Sequence, residues 1–212
     1  MNRFLCIPFC LITIALTGFG FQTDYSDKLL TESKQYLLGL KDFSAKFSYS
    51  LESAQSRKIA YDGVLSYMRG KYTLKMKDHD IYFDGKRHTI YMAQLNQYQK
   101  LDQNPTQSVG LVQYMTYVYS WPSNKKYMGE EMLNEVSHHK VELDMTDPKL
   151  PYKRAILWMD KESKLIVKVS FINTKKTVTT YEFHEIDINA GLSESDFIFD
   201  PKKYGATEFD ED

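Results

Sequence analysis

The sequence predicts a mainly β protein: one large antiparallel sheet that carries an N-terminal helix and an inserted helical segment. Three observations predict it. Apolar and polar residues alternate with period two in one segment after another. These segments follow each other at hairpin spacing, with turn residues between them, so β-α-β units are disfavoured. The aromatic content is 14%, with 16 Tyr and 12 Phe, and such residues favour half-buried strands.

The first element expected is a helix over Tyr25–Leu40. Leu29, Leu30, Tyr36, Leu37 and Leu40 fall near one face, Asp24 or Ser26 is placed to cap its start, and Gly39 weakens its last turn. Phe43, Ala45, Phe47, Tyr49 and Leu51 then alternate with Ser44, Lys46, Ser48, Ser50 and Glu52, the cleanest strand pattern in the chain. Lys58–Arg69 follows, with Tyr61, Gly63, Leu65 and Tyr67 on one face. A regular strand would put Arg69 on that face too. Gly70 allows a turn into Lys71–Lys77, where Tyr72, Leu74 and Met76 alternate with polar residues. Ile81–Phe83 and Lys86–Met92 flank Asp84-Gly85, a strong hairpin signal. Gln97–Leu101 adds a short strand.

Between Gln107 and Trp121 the period changes. Leu111, Tyr114, Met115, Val118 and Trp121 recur at three- and four-residue steps, which predicts an amphipathic helix that Pro122 stops. Core packing is the usual use of such a stripe; a movable lid over an apolar cavity is the other, since Met and aromatic residues adapt to variable acyl shapes. A second short helix is expected over Lys126–Leu133. Strands resume at Lys140–Met145, Tyr152–Met159, Leu165–Ile172 and Thr177–Glu185, with turns at Asp147-Pro148 and Asp160–Lys164. Residues 205–212, with Glu208, Asp210, Glu211 and Asp212, read as an acidic, disordered tail.

Residues 1–20 read as a cleaved secretory signal: Arg3 gives the basic start, and Phe4–Leu16 the apolar run. That run is shorter than the roughly 20 apolar residues of a spanning helix. Cys6 and Cys10 both lie inside it, so the mature chain is expected to have no disulfide, cysteine metal site or thiol catalysis. Residues 21–204 suit one domain with a sizeable core. Loss of Arg3 leaves 26 basic and 28 acidic residues, a balance with no electrostatic footprint for nucleic acid.

No catalytic motif stands out. Asp78-His79-Asp80 and His138-His139 are metal-like only in composition, because neighbours on a strand face opposite ways and further ligands are missing. His184 lies beside Glu182 and Glu185 with no spaced nucleophile, and no G-x-S-x-G or phosphate-cradling loop occurs. No enzyme activity, metal or cofactor is therefore expected. A sheet with one apolar face must bury it, and the few helices here would fill it only in part. An unfilled apolar concavity is a natural site for an acyl chain.

Several stretches, in order, resemble the periplasmic lipoprotein carriers of the LolA family. Phe43-Ser44-Ala45-Lys46-Phe47 is similar to the family's F-x-A-x-F opening. Gly63-Val64-Leu65 followed by Arg69 resembles its G-x-L and arginine, and Asp84-Gly85-Lys86 with Tyr91 and Gln97 its D-G-K, Y and Q pattern. Phe197–Pro201 resembles the F-x-F-x-P close. The resemblance implies an incomplete, strongly curved antiparallel β-barrel with lid helices over its apolar concave face. It implies acyl chains held by Phe47, Tyr49, Leu65, Tyr67 and Leu74 and by the lid residues Leu111, Tyr114, Met115 and Val118. Arg69 would donate hydrogen bonds to the lid backbone in the closed, empty state, a task that suits its five-donor fork. The implied partners are acylated lipoproteins, an inner-membrane lipoprotein-releasing ABC transporter and an outer-membrane acceptor, for a monomeric carrier in the periplasm. A lipid-binding or envelope-sensing module of the same half-barrel is the alternative.

Overall fold

The computed structural model of the chain describes residues 19–53, 56–101 and 118–209. The expected signal falls outside them except for Phe19 and Gly20, which open the first helix, α1 (Phe19–Gly39). That helix ends beside the expected position and starts six residues earlier. Eleven strands follow in chain order: β1 (Phe43–Ser53), β2 (Ser56–Met68), β3 (Lys71–Met76), β4 (His79–Phe83), β5 (His88–Met92), β6 (Gln97–Leu101), β7 (Ser123–Leu133), β8 (Val136–Met145), β9 (Tyr152–Asp160), β10 (Ile166–Asn173) and β11 (Val178–Ile188). A 3₁₀ turn (Glu194–Phe197), a one-turn helix α2 (Pro201–Tyr204) and a two-residue strand β12 (Thr207–Glu208) close the chain.

The strands form a single open, curved sheet in the order β12-β6-β5-β4-β3-β2-β1-β11-β10-β9-β8-β7. This is the incomplete antiparallel barrel that the resemblance implied. Two meanders, β1–β6 and β7–β11, meet where β1 pairs with β11. The register is set by which face is apolar. Phe43, Tyr67, Tyr72, Phe83 and His88 pair in succession across five strands and put a row of rings on the concave face. Phe43 lies 5.3 Å from Tyr67, and Phe83 stacks on His88 at 4.4 Å. On the other meander Val141, Leu143, Ala155, Leu157, Met159 and Phe171 are fully buried. Leu29, Leu30 and Leu37 of α1 join this same core, so the helix fills part of the concavity. Each such buried side chain contributes about 1.5–3 kcal/mol relative to exposure.

The convex face is polar and locally braced. The Trp158 ring lies between Lys140 Nζ at 5.1 Å and Lys168 Nζ at 5.2 Å, and its Nε1 donates to Glu131 at 3.1 Å. A second, smaller core forms where the C-terminal segment crosses this face: Phe199 packs on Tyr82, Tyr91, Tyr98 and Tyr204 at centroid distances of 4.9 to 5.4 Å.

Three sequence expectations are corrected. Lys126–Leu133 is not a helix but the greater part of β7. Its Lys, Glu, Met and Leu residues favour helix intrinsically, yet pairing with β8 overrides that weak preference. Gly129 sits at φ +95°, a left-handed conformation inside a bulge that no helix would contain. The chain end is not a free tail over residues 205–209: Gly205, at φ +61°, turns it back after α2, and Thr207–Glu208 pairs in parallel with Gln97–Tyr98. Arg69 does not continue β2. It and Gly70 form the two-residue turn into β3, with φ +49° and +85°, the signs a type I′ hairpin requires.

The amphipathic helix expected over 107–121 lies outside the described residues up to 117, and Val118–Ser120 form a turn.

Candidate functional site

The concave face is not covered uniformly. Along β1, β2 and β3 it is packed shut. Phe47 is 2% exposed, Leu65 1% and Leu74 3%; Tyr67 is buried and Tyr49 half-buried. The described end of the expected lid stretch belongs to this packing. Val118 is buried in the core, Trp121 meets Phe171 edge-on at 5.8 Å, and Tyr119 OH bonds Ser33 Oγ of α1 at 2.7 Å. Burial pushes the Tyr119 phenol up to about 12. Leu111, Tyr114 and Met115 lie outside the described residues.

The face opens toward β4 and β5. Ala45, Leu65, Leu74, Ile81 and Ile90 are successive cross-strand partners from β1 to β5. The first four are buried and Ile90 is only half-buried, so this apolar row starts in the sealed core and surfaces at its far end. There a recess of about 600 Å³ is lined by Ile81, Ile90, Met92 and Leu95, with Asp78, His79 and Gln94 at its rim. Its size falls within the usual range for small-molecule sites, roughly 300–1,000 Å³. His79 and Met92 are cross-strand partners, and Gln94 Nε2 donates to Asp78 Oδ1 at 3.1 Å, tying the end of β3 to the β5–β6 turn. The lining combines apolar and hydrogen-bonding side chains, a mixture that suits an amphipath.

Of the residues singled out from the sequence, Leu65 and Leu74 lead by register into this recess. Phe47 and Tyr67 sit in the neighbouring core. Arg69 is exposed at the opposite end of β3 from Asp78 and His79. The same end of the sheet holds Leu101, through the pairing series Tyr67, Tyr72, Phe83, His88, Leu101, and there the chain leaves β6 toward residue 102. Ile81, Ile90, Met92 and Leu95 were missed. Their signal was present, since Ile81 and Phe83 alternate before the Asp84-Gly85 turn and Ile90 and Met92 after it.

Three of the histidines, His88, His138 and His139, are buried and hydrogen-bonded. His139 Nδ1 meets Tyr127 OH at 3.1 Å, and His138 Nδ1 meets the Val136 carbonyl at 2.9 Å. His88 Nε2 meets Tyr72 OH at 2.7 Å while its buried Nδ1 has no hydrogen-bond partner among the described residues. Burial pulls the His88 imidazole below its ordinary range, with Asp84 opposing. Among the described residues no group of three or more His, Cys, Asp or Glu is placed to hold a metal ion. No helix of the described residues is long and apolar enough to cross a membrane.

No family model matches the sequence, and no curated protein matches it. Solved structures do. An uncharacterized conserved protein from Thermus thermophilus is similar over 87% of this chain and 98% of its own, with 12% identity and a TM-score of 0.60. A DUF1329 family protein from Desulfovibrio piger is similar over 84% of this chain and 97% of its own, with 10% identity and a TM-score of 0.51. A putative outer membrane lipoprotein-sorting protein domain from Vibrio parahaemolyticus also matches, at 14% identity and a TM-score of 0.48, over 83% of this chain and 97% of its own. Identities this low speak to fold alone: this chain shares the open, curved antiparallel sheet of the Thermus and Desulfovibrio proteins.

Proposed function

We propose that this chain is a periplasmic carrier that binds the acyl chains of lipoproteins on its concave face. In this reading it takes them from an inner-membrane ABC transporter and passes them toward the outer membrane. The observation that carries the reading is the half-open apolar face, buried along β1–β3 and exposed as a recess at Ile81, Ile90 and Met92. The ordered motifs that resemble the LolA carriers support it. No covalent step is involved. Each buried acyl methylene contributes about 0.8 kcal/mol of transfer free energy, and a recess open on one side buries a chain only in part, which favours release.

Arg69 has a part in this reading as the donor of hydrogen bonds to the backbone of the lid helix expected over Gln107–Trp121 when the carrier is empty. Its turn and the exit of the chain at Leu101 lie at the same end of the sheet. Arg69→Leu is then expected to bind lipoprotein and release it poorly, and transfer at the wild-type rate would remove that role. The reading as a whole is tested by native mass spectrometry and lipid extraction of protein purified from a periplasmic fraction. Co-purifying acylated lipoprotein supports it; a free glycolipid supports a lipid-binding module of the same fold; an empty protein counts against both.

A further inference from the structure

The sheet has an edge at β6, and the chain covers it with its own end. Thr207 N donates to the Asn96 carbonyl at 3.2 Å and Phe209 N to the Tyr98 carbonyl at 2.8 Å. Asn96 Nδ2 donates to the Gly205 carbonyl at 3.1 Å. One side chain fixes the register. The Glu208 carboxylate accepts from Tyr98 OH at 2.9 Å and pairs with Lys100 Nζ at 2.9 Å. The Lys100 hydrogen bond, and next the one from Tyr98, hold that carboxyl below its usual range.

This hold is slight. Strand β12 is two residues long, its pairing is parallel, and both its side chains are exposed, as is Phe209. Parallel pairing is somewhat weaker per residue than antiparallel, and an exposed ion pair is worth less than about 1 kcal/mol. β6 itself runs on to Leu101, beyond the two residues that β12 pairs. A longer strand laid on the same edge would keep the carboxylate site and gain backbone hydrogen bonds at Lys100, the next residue whose N–H and C=O face this edge.

We propose that the β6 edge is a docking site for an extended, acidic segment of a partner protein, which pairs with β6 in place of Thr207–Phe209. Strand addition of this kind draws affinity from main-chain hydrogen bonds and specificity from side chains. Here Tyr98 and Lys100 select a carboxylate. The chain's own end acts as a tethered competitor, effective because it is local. The site also lies beside the recess. Asn96, which anchors the strap, closes the turn that carries Gln94 and Leu95 at the recess rim, and Tyr91 OH donates to Asn96 Oδ1 at 3.0 Å. A docked partner would therefore stand at the mouth of the concavity. The inference does not depend on what the recess holds.

The test uses the full chain and a synthetic peptide of the sequence Gly205–Asp212, followed by amide chemical shifts of Asn96, Tyr98 and Lys100. In Thr207→Pro, which deletes the N–H given to Asn96, the peptide is expected to bind about tenfold or more tightly than in the wild type, where the tethered segment competes. Glu208→Lys opens the edge without touching the backbone and is expected to act alike. Adding Lys100→Glu to either variant should abolish the gain. Unchanged β8–β10 amides verify the fold. The proposal is overturned if both variants leave the β6 amides unmoved by peptide, if a scrambled peptide binds equally well, or if the opened variants self-associate through β6 and exclude the peptide.

Discussion

Gly63 is the position at which one methyl group should cost the most. It faces Phe47 across β1 and β2 and Met76 across β2 and β3. A Cβ built there lies 2.6 Å from Phe47 Cζ, 2.8 Å from its Cε1 and 2.8 Å from the Lys75 carbonyl oxygen. Carbon atoms in good contact stand about 3.5–4.0 Å apart, so the ring would have to retreat by roughly 1 Å. It has little room: Phe47 is 2% exposed and packs toward Phe183. The carbonyl belongs to β3 and can move only by bending the ladder. Overpacking of this kind costs about 1–3 kcal/mol. Alanine regains about 0.5–1 kcal/mol because glycine is entropically poor in a strand. The clash wins, and Gly63→Ala should lose about 0.5–2 kcal/mol. For a chain of this size that lowers Tm by about 1–8 °C. Urea unfolding followed by fluorescence should show a lower midpoint at unchanged slope. In a Phe47→Leu background, where the ring is gone, the same substitution should cost less. A Gly63→Ala protein as stable as the wild type, or more so, would refute the reasoning.

Other outcomes follow from the same geometry. Ile90→Glu puts a charge in the recess wall and should sharply weaken binding of a fluorescent acyl probe while leaving the β-sheet circular dichroism unchanged; undiminished probe binding would move the site elsewhere. Asp42 is fully buried and accepts from Gly191 N at 3.1 Å, so Asp42→Ala should cost about 0.5–1.5 kcal/mol in urea unfolding through loss of that bond. Burial lowers the His88 imidazole, and burial followed by Lys164 lowers His139. Below the ordinary imidazole value the unfolded chain takes up protons that the folded chain resists, so stability falls as pH falls through that range toward the depressed folded values. His88→Phe should flatten part of this decline, and a slope equal to the wild type's would exclude His88 as a source. Arg69→Asn places the preferred residue pair in the I′ turn and should raise stability by a few tenths of a kcal/mol or more.

The parts of the fold legible in the sequence are those where the local pattern and the tertiary environment ask for the same thing. Phe43–Ser53 alternates because one face lies on the core, and Gln97–Leu101 is bounded as read. The Asp84-Gly85 signal marks a four-residue loop in which Asp84 Oδ1 accepts from Lys86 N and Arg87 N. Where the two disagree, the sequence misleads. Lys126–Leu133 has helix-forming residues, yet it is held as a strand by β8 and by the Asn134-Glu135 turn, both at positive φ with neither residue a glycine. Thr207–Phe209 has no strand pattern of its own and is ordered by partners more than a hundred residues away. The site was half legible for a related reason. Period two shows that Leu65, Leu74, Ile81 and Ile90 are all inward, but not where their burial ends. That boundary depends on tertiary packing across the curved sheet, which no local pattern encodes.

The strand order carries a consequence for how the chain acquires its shape. Apart from the parallel strap at β6, neighbours in the sheet are neighbours in sequence, except at β1 and β11, where Phe43 meets Ile188. Each meander can therefore assemble from hairpins with short loops to close, while the seam between them must bring together segments more than a hundred residues apart. Loop-closure entropy makes that seam the costly contact. Mutations inside β8–β10, whose contacts are in place before the seam closes, should slow folding, and truncation of Tyr49 or Tyr181 at the seam should slow it too in so far as the seam is formed in the transition state. The concavity is then the last feature to form, because its two halves exist as a single surface only once the seam has closed.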